Sequence, residues 1–237
     1  MYVISDKYKY IIKMFPKSGC TVVRLLHLYL NEDKDQHLTK TEFEDKHHSL
    51  GFIDPDFSKY KNYFKIIVYR SPYDRIISAF YQKIAGVTSS NVHKGGELIS
   101  QPRCLSKEKN TFNKWLDLIV TGQHHDFHFI PQTIGSECKD FNIINIEDIL
   151  GIFLNYNKEL HTSANKILRE ENILIKNNLI KYDLPHFEDL TDYDFYKDER
   201  GYLRLSEVPN YRYLLTDETK NKIKEHYKDD FLNVEKF

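Results

Sequence analysis

The run IIKMFPKSGCTVV, residues 11–23, sets a lysine, a serine and a glycine between an apolar stretch that stops at Pro16 and a stretch of helical period. A second run, VYRSPYDRIISAFYQ at residues 68–82, repeats the plan, with Arg70 closing an apolar stretch and Ser78 two turns into the helical stretch after it. Both put positive charge at a turn that opens a helix, where unpaired N–H groups and the positive end of the helix dipole attract anions. Lysine adds a mobile charge, arginine a planar fork for a phosphate, and serine a hydroxyl donor. Two such turns on neighbouring strand ends suit a ligand with two separated phosphate-like groups. The alternative for the first turn is plain capping, with Ser18 or Thr21 as the cap and Lys17 solvated. Lysine before glycine also departs from the order GxxxxGK[ST], which argues against an ATP- or GTP-hydrolysing P-loop.

Those groups need strands and helices to hold them. Residues 10–15 read as a buried strand bounded by Pro16, and Val22, Val23, Leu26 and Leu30 share one side of a helix running from residue 21 to about residue 29. Residues 64–69, FKIIVY, read as a second buried strand; Pro72 suits the first turn of the next helix, and Ile76, Ile77, Phe80 and Ile84 form its apolar face. Two strands each followed at once by a helix predict an α/β fold, a central parallel sheet flanked by helices with functional groups at the carboxyl ends of the strands. Further along, the pattern predicts a helix over 111–120 carrying Trp115, a strand over 141–146 and a helix over 147–160. A helical stretch over 165–181 and a closing amphipathic helix over 216–228 complete the set. Residues 31–46 are polar and helical in part at best, residues 89–110 read as a long surface loop or lid around KGGE, and residues 183–202 are acidic and turn-rich.

The chain of 237 residues is long enough for a substantial core, and a single domain over 1–237 is expected. Hydrophobic residues at 41% and charged residues at 29% exclude a disordered or fibrous chain, and a net charge of -1 gives no overall basic field for nucleic acid. Cys20, Cys104 and Cys138 are too scattered for a disulfide framework and form no CxxC pair, which points to a reducing compartment. The N-terminus shows no signal-peptide pattern, and no apolar run approaches the roughly 20 residues of a membrane-spanning helix. A cytoplasmic or otherwise soluble protein without a membrane anchor is the expectation.

At PKSGCT and RSPYDRIISAFY the sequence resembles the sulfotransferases, specifically the carbohydrate-type branch that includes chondroitin, HNK-1 and uronyl or heparan 2-O-sulfotransferases. The two motifs stand in the family's order, and the resemblance extends to HFIPQ at 128–132, FNIINIEDI at 141–149 and IKEHYKDDF at 223–231. It implies a P-loop-like nucleotide-binding fold and transfer of a sulfuryl group from 3′-phosphoadenosine 5′-phosphosulfate (PAPS) to a hydroxyl, foremost of a carbohydrate. The product is 3′-phosphoadenosine 5′-phosphate (PAP), and no metal is needed. By the same resemblance Lys17 holds the phosphosulfate and its bridging oxygen, and the amides of Ser18, Gly19, Cys20 and Thr21 hold the 5′-phosphate. Arg70 and Ser78 take the 3′-phosphate. Arg75 matches the second arginine of the pattern or makes a structural salt bridge instead, and Cys20 fills a slot that tolerates a small packing residue.

Sulfuryl transfer also needs a base for the acceptor hydroxyl. In DKHHSLGF, residues 45–52, the resemblance points to His48 as that base, with His47 second; the alternative is that both merely cap or flank a surface strand. In GQHHDFHFIPQ, His124, His125 and His128 line an acceptor pocket by the same resemblance; plain loop residues, or a metal site with Cys104 or Cys138, are the alternatives. Tyr73, Tyr81, Trp115, Phe127 and Phe129 offer rings for adenine or sugar, though such aromatics more often belong to a core. Two other functions stay open: a nucleotide- or glycan-binding module without catalysis, and a P-loop-like nucleotide kinase.

Overall fold

The computed structural model describes residues 1–32, 39–51, 55–83, 111–123, 127–171, 173 and 211–234, with the backbone alone at 48, 49, 81–83, 211, 212, 233 and 234. The loop expected at 89–110, the acidic stretch at 183–202 and the part of the 165–181 helix beyond residue 173 lie outside these. In chain order the first elements are β1 (Tyr2–Ser5), β2 (Tyr10–Met14), α1 (Cys20–Asn31), α2 (Lys40–Asp45), β3 (Phe64–Tyr69), α3 (Pro72–Lys83) and α4 (Phe112–Val120). There follow β4 (Asn142–Asn145), α5 (Ile149–Tyr156), α6 (Lys158–Glu170), α7 (Asp217–His226) and α8 (Lys228–Val234). The chain forms two compact units, one of residues 1–70 and 132–177, the other of residues 71–131 and 178–236.

The first unit is built on a four-stranded sheet in the order β1-β2-β3-β4. β2 pairs with β3 in parallel from Tyr10↔Phe64 to Met14↔Val68, and β3 pairs with β4 in parallel from Ile66↔Asn142 to Tyr69↔Asn145. β1 runs antiparallel to β2, with Tyr2 opposite Lys13, so the sheet is mixed and the expectation of a parallel one is corrected at this edge. The reason is length: residues 6–9 connect β1 to β2, long enough for a hairpin and far too short for a parallel crossover.

Alternation along the strands sorts the core. Tyr10, Ile12 and Met14 of β2, Ile66 and Val68 of β3 and Ile144 of β4 pack with Val23, Leu26 and Leu30 of α1, Ile149 and Phe153 of α5, and Leu160, Ala164 and Leu168 of α6. Ile11, Phe15 and Ile67 cluster instead with Tyr2, Cys138 and Phe141, and Phe57 and Tyr60 pack against them. Lys13 is buried there; its ammonium donates to the Thr133 carbonyl at 3.4 Å and pairs with Glu137 at 3.3 Å, which satisfies the charge. The single helix expected over 147–160 is two. Asn157 breaks it, because its side-chain oxygen accepts from the N–H groups of Glu159 at 2.9 Å and Leu160 at 3.1 Å and so starts α6 afresh.

The second unit closes around Trp115, which is almost wholly buried among Ile76, Ile77 and Phe80 of α3, Phe112, Leu116 and Ile119 of α4, and Ile223 and Tyr227. Phe129 meets the indole edge-on, with ring centroids 4.5 Å apart. Trp115 and Phe129 are therefore core residues, while Phe127 is exposed. Thr111 caps α4 by accepting from the N–H of Lys114 at 3.2 Å. The closing helix is likewise divided, α7 ending before Tyr227 and α8 following it. Among the described residues no helix is long and apolar enough to cross a membrane.

Candidate active site

Because β2, β3 and β4 are parallel, their carboxyl ends share one edge of the first unit, where open α/β sheets bind ligands. The lysine turn leaves β2 at that edge. Ser18 is wholly buried inside it: its N–H and its hydroxyl both donate to the Phe15 carbonyl, at 3.1 and 2.7 Å, and its Oγ accepts from the Phe15 N–H at 3.0 Å. The N-cap of α1 is Gly19, in the left-handed region at φ 95, and no side chain caps the helix. Neither Ser18 nor Thr21 acts as the cap, so the capping alternative is not realised. The first turn of α1 also holds no acidic residue, and its leading N–H groups have no acceptor within the helix.

Glycine is required at position 19 twice over. Its φ is one that side-chain-bearing residues rarely adopt, and a Cβ there would fall 2.9 Å from Cγ1 of Ile146, the residue after β4. Lys17 is also left-handed, at φ 66, with no such exemption. Arg70, the residue after β3, holds it: its Nη1 donates to the Lys17 carbonyl at 3.0 Å. The peptide group between Lys17 and Ser18 is thus fastened at both ends, its C=O by Arg70 and its N–H by Phe15. Arg70 is fixed in turn by Gln132, which is wholly buried; the Gln132 Oε1 accepts from the Arg70 N–H at 3.3 Å, and its Nε2 donates to the Arg70 carbonyl at 2.8 Å.

The structure therefore brings Lys17, Ser18, Gly19, Cys20 and Thr21 together with Arg70 within one unit, and Ser18 serves the inside of the turn. Cys20 is half-buried and packs against the core shared by the sheet and α1. Ser78 lies on α3 in the second unit and is half-buried. Arg75, in the same unit, is wholly buried. It lies 3.7 Å from the equally buried Asp230 of α8, donates to the His128 carbonyl at 3.1 Å and stands over the Tyr227 ring. Of the two roles open to Arg75, the structural salt bridge is the one seen.

His47 and His48 sit in a short helical turn at Lys46–Ser49. His47 is buried with its Nδ1 against the Glu44 carbonyl, a structural position. His48 takes the next place in the turn. Gly51, just beyond, lies against the end of β2: a Cβ on it would come 2.8 Å from Met14 Cε. The turn thus ends beside the strand that leads into Lys17. His128 is half-buried, while His124, His125 and Cys104 lie outside the described residues. Cys138 sits 3.5 Å from Lys13 Nζ, and burial pushes its thiol above the ordinary range. Among the described residues no group of three or more His, Cys, Asp or Glu could hold a metal ion.

Gln132 and Asp230 are not among the residues that the sequence singles out. The signal for Gln132 is the last letter of HFIPQ, and for Asp230 the second aspartate of YKDDF. A family model described as Sulfotransferase family matches residues 1–233, a span that runs through both units. No curated protein and no solved structure matches the chain. With a match across nearly all of its length, and with lysine and arginine turns at the ends of adjacent parallel strands, the chain belongs to the sulfotransferase family.

Proposed function

We propose that this protein is a sulfotransferase that uses PAPS as donor and a carbohydrate hydroxyl as acceptor, residues 1–237 being one sulfotransferase-like domain of P-loop-like fold. The observation that carries the donor site is the start of α1: no side chain caps it, no acid neutralises it, and Gly19 leaves no room for a Cβ beside Ile146. That cradle fits a 5′-phosphate. The donor supplies the activated sulfuryl group. The chain's own part is binding and charge: the amides of Gly19, Cys20 and Thr21 hold the 5′-phosphate, and Lys17 steadies the negative charge that grows on the leaving oxygen. Ser18 contributes by shaping the turn, its own amide being committed to Phe15.

Arg70 and Ser78 are proposed for the 3′-phosphate, and His128, with His124 and His125, for the acceptor pocket. His48 is proposed as the base that takes the proton of the acceptor hydroxyl, since His47 is buried with its Nδ1 engaged. As the acceptor oxygen bonds to sulfur, the bond from sulfur to the phosphate oxygen breaks and PAP leaves. Positioning and electrostatic stabilisation provide most of the acceleration, as in phosphoryl transfer.

Calorimetric titration with PAP, with ATP as the control, tests the donor site. Micromolar binding of PAP over ATP is expected, weakened roughly tenfold to a hundredfold in Lys17→Ala and in Arg70→Ala, the loss of one charged hydrogen bond each. Equal binding of ATP, or no binding of PAP, overturns the reading. Tight PAP binding with no transfer to any hydroxyl acceptor identifies a binding module without catalysis.

A further inference from the structure

The residue that fastens Arg70 is a glutamine no part of the transfer chemistry calls for. Gln132 is wholly buried, and its amide makes two hydrogen bonds to one residue: the Arg70 N–H donates to Oε1 at 3.3 Å and Nε2 donates to the Arg70 carbonyl at 2.8 Å. This is the pair of bonds that a neighbouring strand makes in a ladder. It is supplied where the pairing of β3 with β4 has ended, at Tyr69↔Asn145. The backbone of Arg70 is thereby held in strand-like register one residue past the strand.

Arg70 passes that constraint on. Its Nη1 donates to the Lys17 carbonyl at 3.0 Å, and the N–H of the same peptide group, on Ser18, donates to Phe15 at 3.1 Å. A left-handed Lys17 is disfavoured on its own, so the peptide after it needs both fastenings to stay where it is. We propose that Gln132 is a positioning residue for the donor site: it locks Arg70, and through Arg70 the lysine turn, into the arrangement that receives both ends of the nucleotide. This rests on the assignment of Arg70 to the 3′-phosphate made above. The effect proposed for Gln132 passes through its two hydrogen bonds to Arg70 and not through contact with a reacting atom.

The test compares PAP with adenosine 5′-phosphate, which lacks the 3′-phosphate, by calorimetric titration of the full chain. The wild type is expected to prefer PAP. Gln132→Met, of similar length and without the amide, is expected to cut that preference about tenfold while remaining folded by circular dichroism. Arg70→Ala removes the preference, and adding Gln132→Met to it removes nothing further, because the glutamine acts through the arginine. A merely structural glutamine lowers affinity for both nucleotides alike.

If Gln132→Met does not fold, Gln132→Glu decides. Its protonated acid reproduces both bonds and its carboxylate only one, so the preference for PAP, taken relative to wild type at each pH, falls as rising pH ionises the buried carboxyl. A folded Gln132→Met that keeps the wild-type preference, losses that multiply in the double variant, or a Gln132→Glu that tracks wild type at every pH overturns the inference and leaves the donor site standing. A wild type that binds both nucleotides equally removes the donor site and this inference together.

Discussion

Replacing Gly19 by alanine tests the turn at its tightest point, and the cost has two separable parts. The backbone part comes from φ 95, which for a residue with a Cβ is worth about 1–2 kcal/mol. The packing part comes from the new methyl, which would meet Ile146 at 2.9 Å from Cγ1 and 3.1 Å from Cβ; Ile146 is buried, so it must shift, at about 1–3 kcal/mol for overpacking. The sum, about 2–5 kcal/mol, is a large fraction of the 5–15 kcal/mol typical of a domain. Urea unfolding of four proteins separates the parts: wild type, Gly19→Ala, Ile146→Ala and the double variant. Ile146→Ala alone costs about 2–5 kcal/mol, but it deletes Cγ1 and Cγ2, so alanine at 19 then costs its backbone part and only the remaining 3.1 Å contact with the Cβ of residue 146. The cycle should show a coupling of about 1–3 kcal/mol in favour of the double variant. Trp115, the one tryptophan of the chain, lies in the second unit, so ellipticity and tryptophan emission followed together reveal whether the units unfold in one transition. A Gly19→Ala cost below about 0.5 kcal/mol, or strict additivity with Ile146→Ala, would refute the geometry argued for the turn.

Buried groups give two further outcomes. Arg75→Leu and Asp230→Leu each leave one charge buried without its partner and are expected to cost about 3–5 kcal/mol, while replacing both costs less than either single change; tryptophan emission in urea reads this, since Trp115 shares their unit. His27, against the Tyr10 hydroxyl at 3.0 Å and the Asn31 amide at 3.2 Å, is brought by burial from 6.5 down to about 4. The unfolded chain therefore takes up this proton first, so the contribution is whole above pH 6.5 and is lost as the pH falls toward 4, by about 3 kcal/mol in full. Urea midpoints across that range should flatten in His27→Gln; an unchanged pH slope would refute the assignment.

Much of this was legible because it depends on local pattern. FKIIVY is the strand at Phe64–Tyr69, Pro72 opens α3, and Ile76, Ile77 and Phe80 are wholly buried as the spacing predicts. The lysine and arginine turns stand at strand ends for the same reason. What the pattern hid is pairing between distant residues. Tyr2–Ser5 is too short to read as a strand until β2 lies beside it, and Asn157 divides a helix with a side chain that propensity alone treats as one more polar residue. Gln132 meets Arg70, 62 positions away, and Asp230 meets Arg75 on another helix, contacts that no local pattern announces. The inward turn of Ser18 is likewise decided by Phe15, not by the helix after it.

The unusual order of this turn, lysine ahead of glycine, now has a structural reason. Position 18 must close the turn from inside, and only a small hydroxyl can both donate to and accept from Phe15. Position 19 must be glycine, for its φ and for Ile146. Position 20, where a Walker lysine would stand, faces the core between the sheet and α1, and a lysine there would carry its charge into apolar packing. Position 17, half-buried ahead of the serine and the glycine, is where the turn carries its charge. It is admissible only in the left-handed conformation that Arg70 braces, so the two cations of this edge form one device: the arginine makes the lysine's backbone tenable, and the lysine's carbonyl orients the arginine.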